Sequence, residues 1–129
     1  MSRISRLLVS GLLFLMILTA CTSKNSQPEK AVEAYLNAIV AADLTKISTV
    51  SCAEWEEDAW LELDSFQGVE VSLVDMQCTQ SGKDGDTTLV NCSGYFLTSY
   101  DGEAMEIDLS TRAYELVQHG GEWLVCGYR

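Results

Sequence analysis

Met76-Gln77-Cys78-Thr79-Gln80-Ser81-Gly82-Lys83-Asp84-Gly85-Asp86-Thr87-Thr88-Leu89-Val90-Asn91-Cys92 decides how the rest of the chain is read. A cluster of Ser, Gly, Lys and Asp separates two β-prone runs, the composition of a hairpin turn. Cys78 and Cys92 each lie seven residues from Gly85, so antiparallel pairing about that glycine sets the two cysteines face to face. A facing pair at a non-hydrogen-bonded site has Cα atoms about 4.5 Å apart, a spacing that a disulfide spans. Hairpin and crosslink therefore predict each other.

Working outward, β-rich runs at 69–80, 87–99, 104–118 and 122–128 are separated by turns at Lys83–Asp86, Asp101-Gly102 and Gly120-Gly121. They predict a four-stranded antiparallel meander. Centring the second hairpin on Asp101-Gly102 sets Phe96 opposite Ile107 and Gly94 opposite Leu109; the first sets Val74 opposite Phe96 and Met76 opposite Gly94. One face then collects Val74, Met76, Cys78, Val90, Cys92, Phe96, Met105, Ile107 and Leu109. The third hairpin pairs Leu116 with Val125 and leaves Tyr114, Leu116, Trp123 and Val125 on the other parity. A bulge between Ser110 and Ala113 rephases the strand, or both faces are covered there; the bulge is the reading adopted. A similar slip falls between Leu73 and Val74, and paired bulges would curl the sheet.

Upstream of the strands the period changes to that of helices. Ser26-Gln27-Pro28-Glu29 has capping-box spacing, and Val32, Tyr35, Leu36, Ile39 and Val40 predict an amphipathic helix to about Ala42. Asp43 can cap a second, short helix that buries Leu44 and Ile47. Ser51 with Glu54 repeats the capping spacing, and Cys52, Trp55, Ala59, Leu63 and Phe66 form one stripe of a third helix. The expected fold class is α+β, three N-terminal helices packed on a curled four-stranded antiparallel meander.

The N-terminus carries an address. Arg3 and Arg6 precede an apolar run from Leu7 to Ile17, about half of the roughly 20 residues that cross a bilayer, so residues 1–20 read as an export signal. Leu18-Thr19-Ala20-Cys21 resembles the lipobox of bacterial lipoproteins, which implies cleavage before Cys21 and a diacylglyceryl group on its sulfur, with palmitate-type acyl chains as the membrane anchor. Each buried methylene contributes about 0.8 kcal/mol, so two or three chains hold a protein almost irreversibly. Thr22 stands where lipoproteins retained at an inner membrane carry Asp, which implies the outer membrane of a two-membrane cell and otherwise the outer face of the cell membrane. Residues 21–27 read as lipidated cysteine and polar tether, and 28–129 as the single domain that 129 residues can build.

Without residues 1–20 the chain holds 6 basic and 19 acidic residues. Such a body is repelled by phosphate backbones and anionic headgroups, which excludes nucleic acid as a partner and suits a tethered domain rather than one lying on the membrane. Four cysteines remain in a small exported domain, with no C-x-x-C, so disulfides are expected and no metal site or cofactor. Given Cys78–Cys92, elimination pairs Cys52 with Cys126. The loop-entropy model assigns the two closures roughly 3 and 4 kcal/mol.

The run Val32-Glu33-Ala34-Tyr35-Leu36-Asn37-Ala38-Ile39-Val40-Ala41-Ala42-Asp43 and the ending Gly120-Gly121-Glu122-Trp123-Leu124-Val125, set on three helices before a curled sheet, resemble the nuclear-transport-factor-2-like superfamily over residues 28–129. The likeness is to its small lipid-anchored members of unknown function. It implies a roll with a conical cavity between helices and sheet, a frame shared by isomerases, dehydratases, hydrolases and plain binding or dimerisation modules, so function has to be argued from the site.

Chemistry inside such a cone would need a titratable group aimed inward. His119 precedes Gly120-Gly121 at a hairpin tip, where it is expected in solvent. The candidate cavity residues are Tyr35, Tyr95 and Glu115; Glu115 faces inward opposite Cys126 without the bulge and outward with it. Asp108 and Arg112, four apart, read as a surface ion pair. Between Lys46 and Lys83 there are eight acids and no base, read as a solvated helix face or a patch for a cationic partner. Asn91-Cys92-Ser93 matches a glycosylation sequon only formally. No catalytic residue is assigned. The expectation is a non-enzymatic cell-envelope lipoprotein that binds a ligand or partner protein; the rivals are a small-molecule isomerase or dehydratase using the cone and a structural dimerisation module.

Overall fold

The structure, a computed structural model, describes residues 27–129. The export signal, Cys21 and all of the tether except Gln27 lie outside the described residues. Three helices, α1 (Pro28–Val40), α2 (Leu44–Val50) and α3 (Glu56–Asp64), precede β1 (Glu70–Asp84), β2 (Thr87–Tyr100), β3 (Glu103–Asp108), a 3-10 turn (Leu109–Thr111), β4 (Ala113–His119) and β5 (Glu122–Tyr128). The sheet is antiparallel, in the order β1-β2-β4-β5, with β3 also on β2. The class is α+β, with five strands rather than four. The extra strand arises because the third predicted run is cut by the 3-10 turn: β3 pairs the far half of β2 (Tyr95–Tyr100) and β4 the near half (Thr88–Asn91).

The interruption is stabilised locally. The Asp108 side chain accepts from the Ser110 N–H (2.8 Å) and the Thr111 hydroxyl donates to the Asp108 carbonyl (3.0 Å), so the chain turns once where a ladder would continue. This performs the rephasing expected of a bulge: Leu109 is buried on one side of the break, and Tyr114 and Leu116 are buried beyond it. Gly94 accordingly has no partner at Leu109, because pairing stops at Tyr95 with Asp108.

In the first hairpin Cys78 does face Cys92, and the two are bonded, as are Cys52 and Cys126. Both pairs are those expected from the turn and by elimination. Disulfides persist in oxidising compartments, so the domain belongs outside the cytoplasm. Among the described residues no helix is long and apolar enough to cross a membrane.

The predicted register of the first hairpin fails in two places, by a one-residue shift between Gln80 and Gly82 near the turn and over the start of β1. Phe96 faces Leu73, not Val74, because a bulge at Asp75 and Met76 lies opposite Gly94. Asp75 takes a positive φ of 52° and Gly94 one of 88°, and a Cβ on Gly94 would stand 2.4 Å from the Val74 carbonyl oxygen. Only glycine fits there.

The core forms where helices and sheet meet: Val32, Tyr35, Leu36 and Ile39 of α1, Ile47 and Val50 of α2, Ala59 and Leu63 of α3, against Val90, Phe96, Tyr114, Leu116 and Val125. α1 stops at Val40, two residues short of the expected end, as Ala42 takes a left-handed φ of 52°. Asp43 caps α2 as expected, accepting from the Lys46 N–H, yet Leu44 is exposed rather than buried. Met105, expected on the core face, is also exposed, since β3 packs chiefly on β2. The third helix does not start at Ser51. Ser51 bridges Val125 and the Cys52 N–H donates to the Val125 carbonyl, so this link covers the β5 edge and the helix starts after Trp55.

The Gly94 site yields a prediction. Gly94→Ala should lower unfolding free energy by at least about 2 kcal/mol, since neither the positive φ nor the backbone contact can relax separately. Urea unfolding of the oxidised protein measures this, and Gly82→Ala, with open space at its Cβ, is the control that should cost far less.

Candidate functional site

Among the described residues, the densest grouping of polar side chains in the interior lies between α1, α3 and the β3–β4 break. The Tyr35 hydroxyl donates to Glu62 (2.6 Å) and accepts from the Trp55 indole N–H (3.2 Å). The other Glu62 oxygen accepts from the Arg112 guanidinium. Arg112 also lies over the Tyr128 ring, 4.2 Å from its centroid, within cation–π reach. Edge-on ring contacts join Tyr35 to Tyr114, Tyr114 to Tyr128, and Tyr128 to Trp55. The Glu62 side chain is only 9% exposed and that of Arg112 25%.

Each member is delivered by local structure. Glu62 follows Ala59 by three residues and Trp55 by seven, so it borders the apolar stripe of α3 and not its wet side. Arg112 closes the 3-10 turn and shares strand parity with Tyr114 and Leu116, which turns it inward. Asp108, its expected partner, is instead occupied in capping that turn. Glu62 is thereby the exception among the eight acids expected on a solvated face.

The electrostatics follow from burial. Taking the Glu62 and Arg112 charges out of water costs several kcal/mol per ion, and only their mutual attraction and hydrogen bonds repay it. Burial, then the neighbouring Glu62 charge, pushes the Tyr35 hydroxyl far above its ordinary pKa. Burial and Glu62 push Tyr114 up to about 12, against the opposing pull of Arg112. Arg112 is held charged well above its usual range by Glu62, which outweighs its own desolvation. The Tyr114 hydroxyl is buried with no hydrogen-bond partner, the one unpaid debt of the cluster.

The residues expected to line a cavity are not assembled. Tyr35 is in the cluster. Tyr95 is on the other face of β2 from Phe96, between Val74 and Asp108. Glu115 stands opposite Gly127, not Cys126, because the β4–β5 register shifts between Glu115 and Leu116, and it pairs with Arg129 at the chain end. His119 is exposed near the Cys52–Cys126 disulfide, beside a shallow groove of about 510 Å³ that also takes in Val117 and Leu124. No family model matches the sequence, and no curated protein does.

Two outcomes follow from the cluster. Glu62→Gln strands the Arg112 charge and should cost roughly 2–4 kcal/mol, while a Glu62→Met, Arg112→Met pair should recover much of it, in a urea-denaturation double-mutant cycle. Tyr114 ionises in the fold near 12 and in the unfolded chain near its ordinary 10, so its contribution is constant below about pH 10 and is lost as pH climbs through about 12. In a tyrosinate absorbance titration Tyr114→Phe should remove a step near pH 12. Deleting a hydroxyl that has no partner should leave the protein as stable or slightly more so.

Proposed function

We propose that this chain is a lipid-anchored protein of the cell envelope, held by acyl chains on Cys21, whose domain is a nuclear-transport-factor-2-like roll serving binding rather than catalysis. The observation that carries the choice is the use of the interior: the one acid in the roll's polar cluster, Glu62, is spent on Arg112 and Tyr35. A general base needs a free lone pair beside a site that admits substrate. Here aromatic rings and a closed ion pair occupy that space, and the depression of about 280 Å³ that opens between α1, the end of α3 and the start of β1 is lined by no titratable side chain among the described residues. The isomerase or dehydratase reading had relied on Glu115 or a tyrosine. Glu115 is tied to Arg129 at the chain end, and Tyr35 is held protonated, which weakens that reading.

The two disulfides, the strongly acidic body and the polar run between Cys21 and Pro28 support the same picture of a domain carried outside the cytoplasm on a short tether. The two crosslinks add stability to a core of this small size.

Cells expressing the chain and fed labelled palmitate should incorporate label, and the mature protein should begin at Cys21 by mass. Cys21→Ser should take no label and keep the precursor's length. An unmodified Cys21 on an exported protein would refute the anchor. Glu62→Gln protein that turned over any small substrate less well than the parent would refute the non-enzymatic reading.

A further inference from the structure

We propose that the outer groove between α2 and α3 is a docking site for a cationic amphipathic segment of a partner protein. The proposal rests on the binding role argued above and names its surface. Leu44 of α2 and Trp60 and Leu61 of α3 are 51%, 46% and 62% exposed, on adjacent elements, around a groove of about 370 Å³. Single exposed apolar side chains are ordinary, but three lining one depression are not. Trp60 is partly fixed, its indole N–H donating to the Ser48 hydroxyl (3.1 Å), which lowers the cost of ordering its face on binding.

The groove is longer than its first segment. At Leu63 and Gln67 it meets a second depression of about 280 Å³, bordered by Val40, Phe66 and Val71. Together they trace a path from the α2–α3 face around the end of α3 to the start of β1, apolar in its first segment and more polar in its second. A helix laid in such a path contacts it through side chains three and four residues apart.

Charge selects the occupant. Glu57 and Asp64 line the groove, and among the described residues neither forms an ion pair. Glu54, Glu56, Asp58 and Glu70 extend the same sign nearby in sequence, and from Ile47 to Gly82 there is no Lys or Arg. A second copy would bring the same acids against these and is disfavoured. Anionic lipid is disfavoured for the same reason. A basic amphipathic segment satisfies both features at once, its apolar side covering Leu44, Trp60 and Leu61 and its Lys or Arg flanks meeting Glu57 and Asp64.

The test uses the full lipidated chain in phosphatidylcholine nanodiscs and a fluorescent Leu/Lys peptide patterned as an amphipathic helix. Its Leu/Glu counterpart and empty discs are the controls. Anisotropy should report binding of the Leu/Lys peptide above the empty-disc level and none of the Leu/Glu peptide. Affinity should fall by about tenfold or more between about 50 and 500 mM salt. Leu61→Ser with Trp60→Ser should weaken binding by about tenfold or more. The exposed pair Glu57→Gln, Asp64→Asn, which leaves the core untouched, should weaken it several-fold and flatten the salt dependence. Equal binding of the acidic peptide, indifference to both variant pairs, or self-association of the protein that Leu61→Ser abolishes would each overturn the proposal. Absence of peptide binding by a chain that carries its acyl groups overturns the groove alone; a chain without them refutes the anchored reading whatever the peptide does.

Discussion

The bond between Glu62 and Arg112 is the constraint around which the domain is arranged. Glu62 comes from α3, Arg112 from the break between β3 and β4, and Tyr35 of α1 holds the same carboxylate. One carboxyl group thus fixes two helices to the sheet. A buried ion pair is a poor source of net stability, since its desolvation cost is nearly as large as its attraction. Its value lies in direction. Apolar packing between α3 and the sheet would tolerate sliding, whereas a charged pair with a shared tyrosine has one satisfied geometry. The 3-10 turn serves the same end: it rephases the strand so that Arg112, Tyr114 and Leu116 all face the helices.

The disulfides complement this arrangement at two other points. Cys78–Cys92 crosses the long hairpin two residues after the bulge at Asp75 and Met76, on the core side. Cys52–Cys126 fastens the α2–α3 link to β5, where Ser51 and Cys52 already use the strand's edge. Helices and sheet are therefore joined covalently on one flank and electrostatically through Glu62. Val125, in the middle of the β5 edge, is taken by Ser51 and Cys52, and β3 carries Glu103, Glu106 and Asp108, charges that discourage strand addition there.

What was legible in the sequence follows from what is local. Turn position sets hairpin register, so Cys78 with Cys92, Phe96 with Ile107 and Leu116 with Val125 could be counted from Gly85, Asp101-Gly102 and Gly120-Gly121. The error at Val74 came from placing the slip one step away from Asp75. The glycine opposite it, Gly94, was the available signal, since a glycine in a strand marks a bulge or a close backbone approach. The break at Leu109 was visible as a change of parity, but a bulge and a 3-10 turn rephase a strand alike, and only Asp108-Leu109-Ser110, a side chain able to cap the next turn, separates them. The cluster was harder. Glu62 and Arg112 stand 50 residues apart, and each has a nearer surface explanation, an acidic helix face for one and Asp108 for the other. Their positions on the inward stripe and the inward parity held the information. A charge placed among apolar neighbours at the right period is a request for a partner, and reading it requires both halves of the fold at once.

The same logic separates inside from outside in function. A polar group buried in this domain is costly enough that it is expected to be matched, and Glu62, Tyr35, Trp55 and Arg112 match one another, leaving over the Tyr114 hydroxyl and, at the link to β5, that of Ser51. A fold that satisfies its interior in this way has little left there with which to recognise a substrate. Its unsatisfied features lie on the surface: Tyr100 and Met105 are bare on β2 and β3, and at the α2–α3 face the apolar Leu44, Trp60 and Leu61 lie beside the carboxylates of Glu57 and Asp64, unpaired among the described residues. Neither is sustained by the fold, because Leu61 and Trp60 could be polar and Glu57 could be lysine at little cost to packing. Features that stability does not require are the ones the proposed docking role would use.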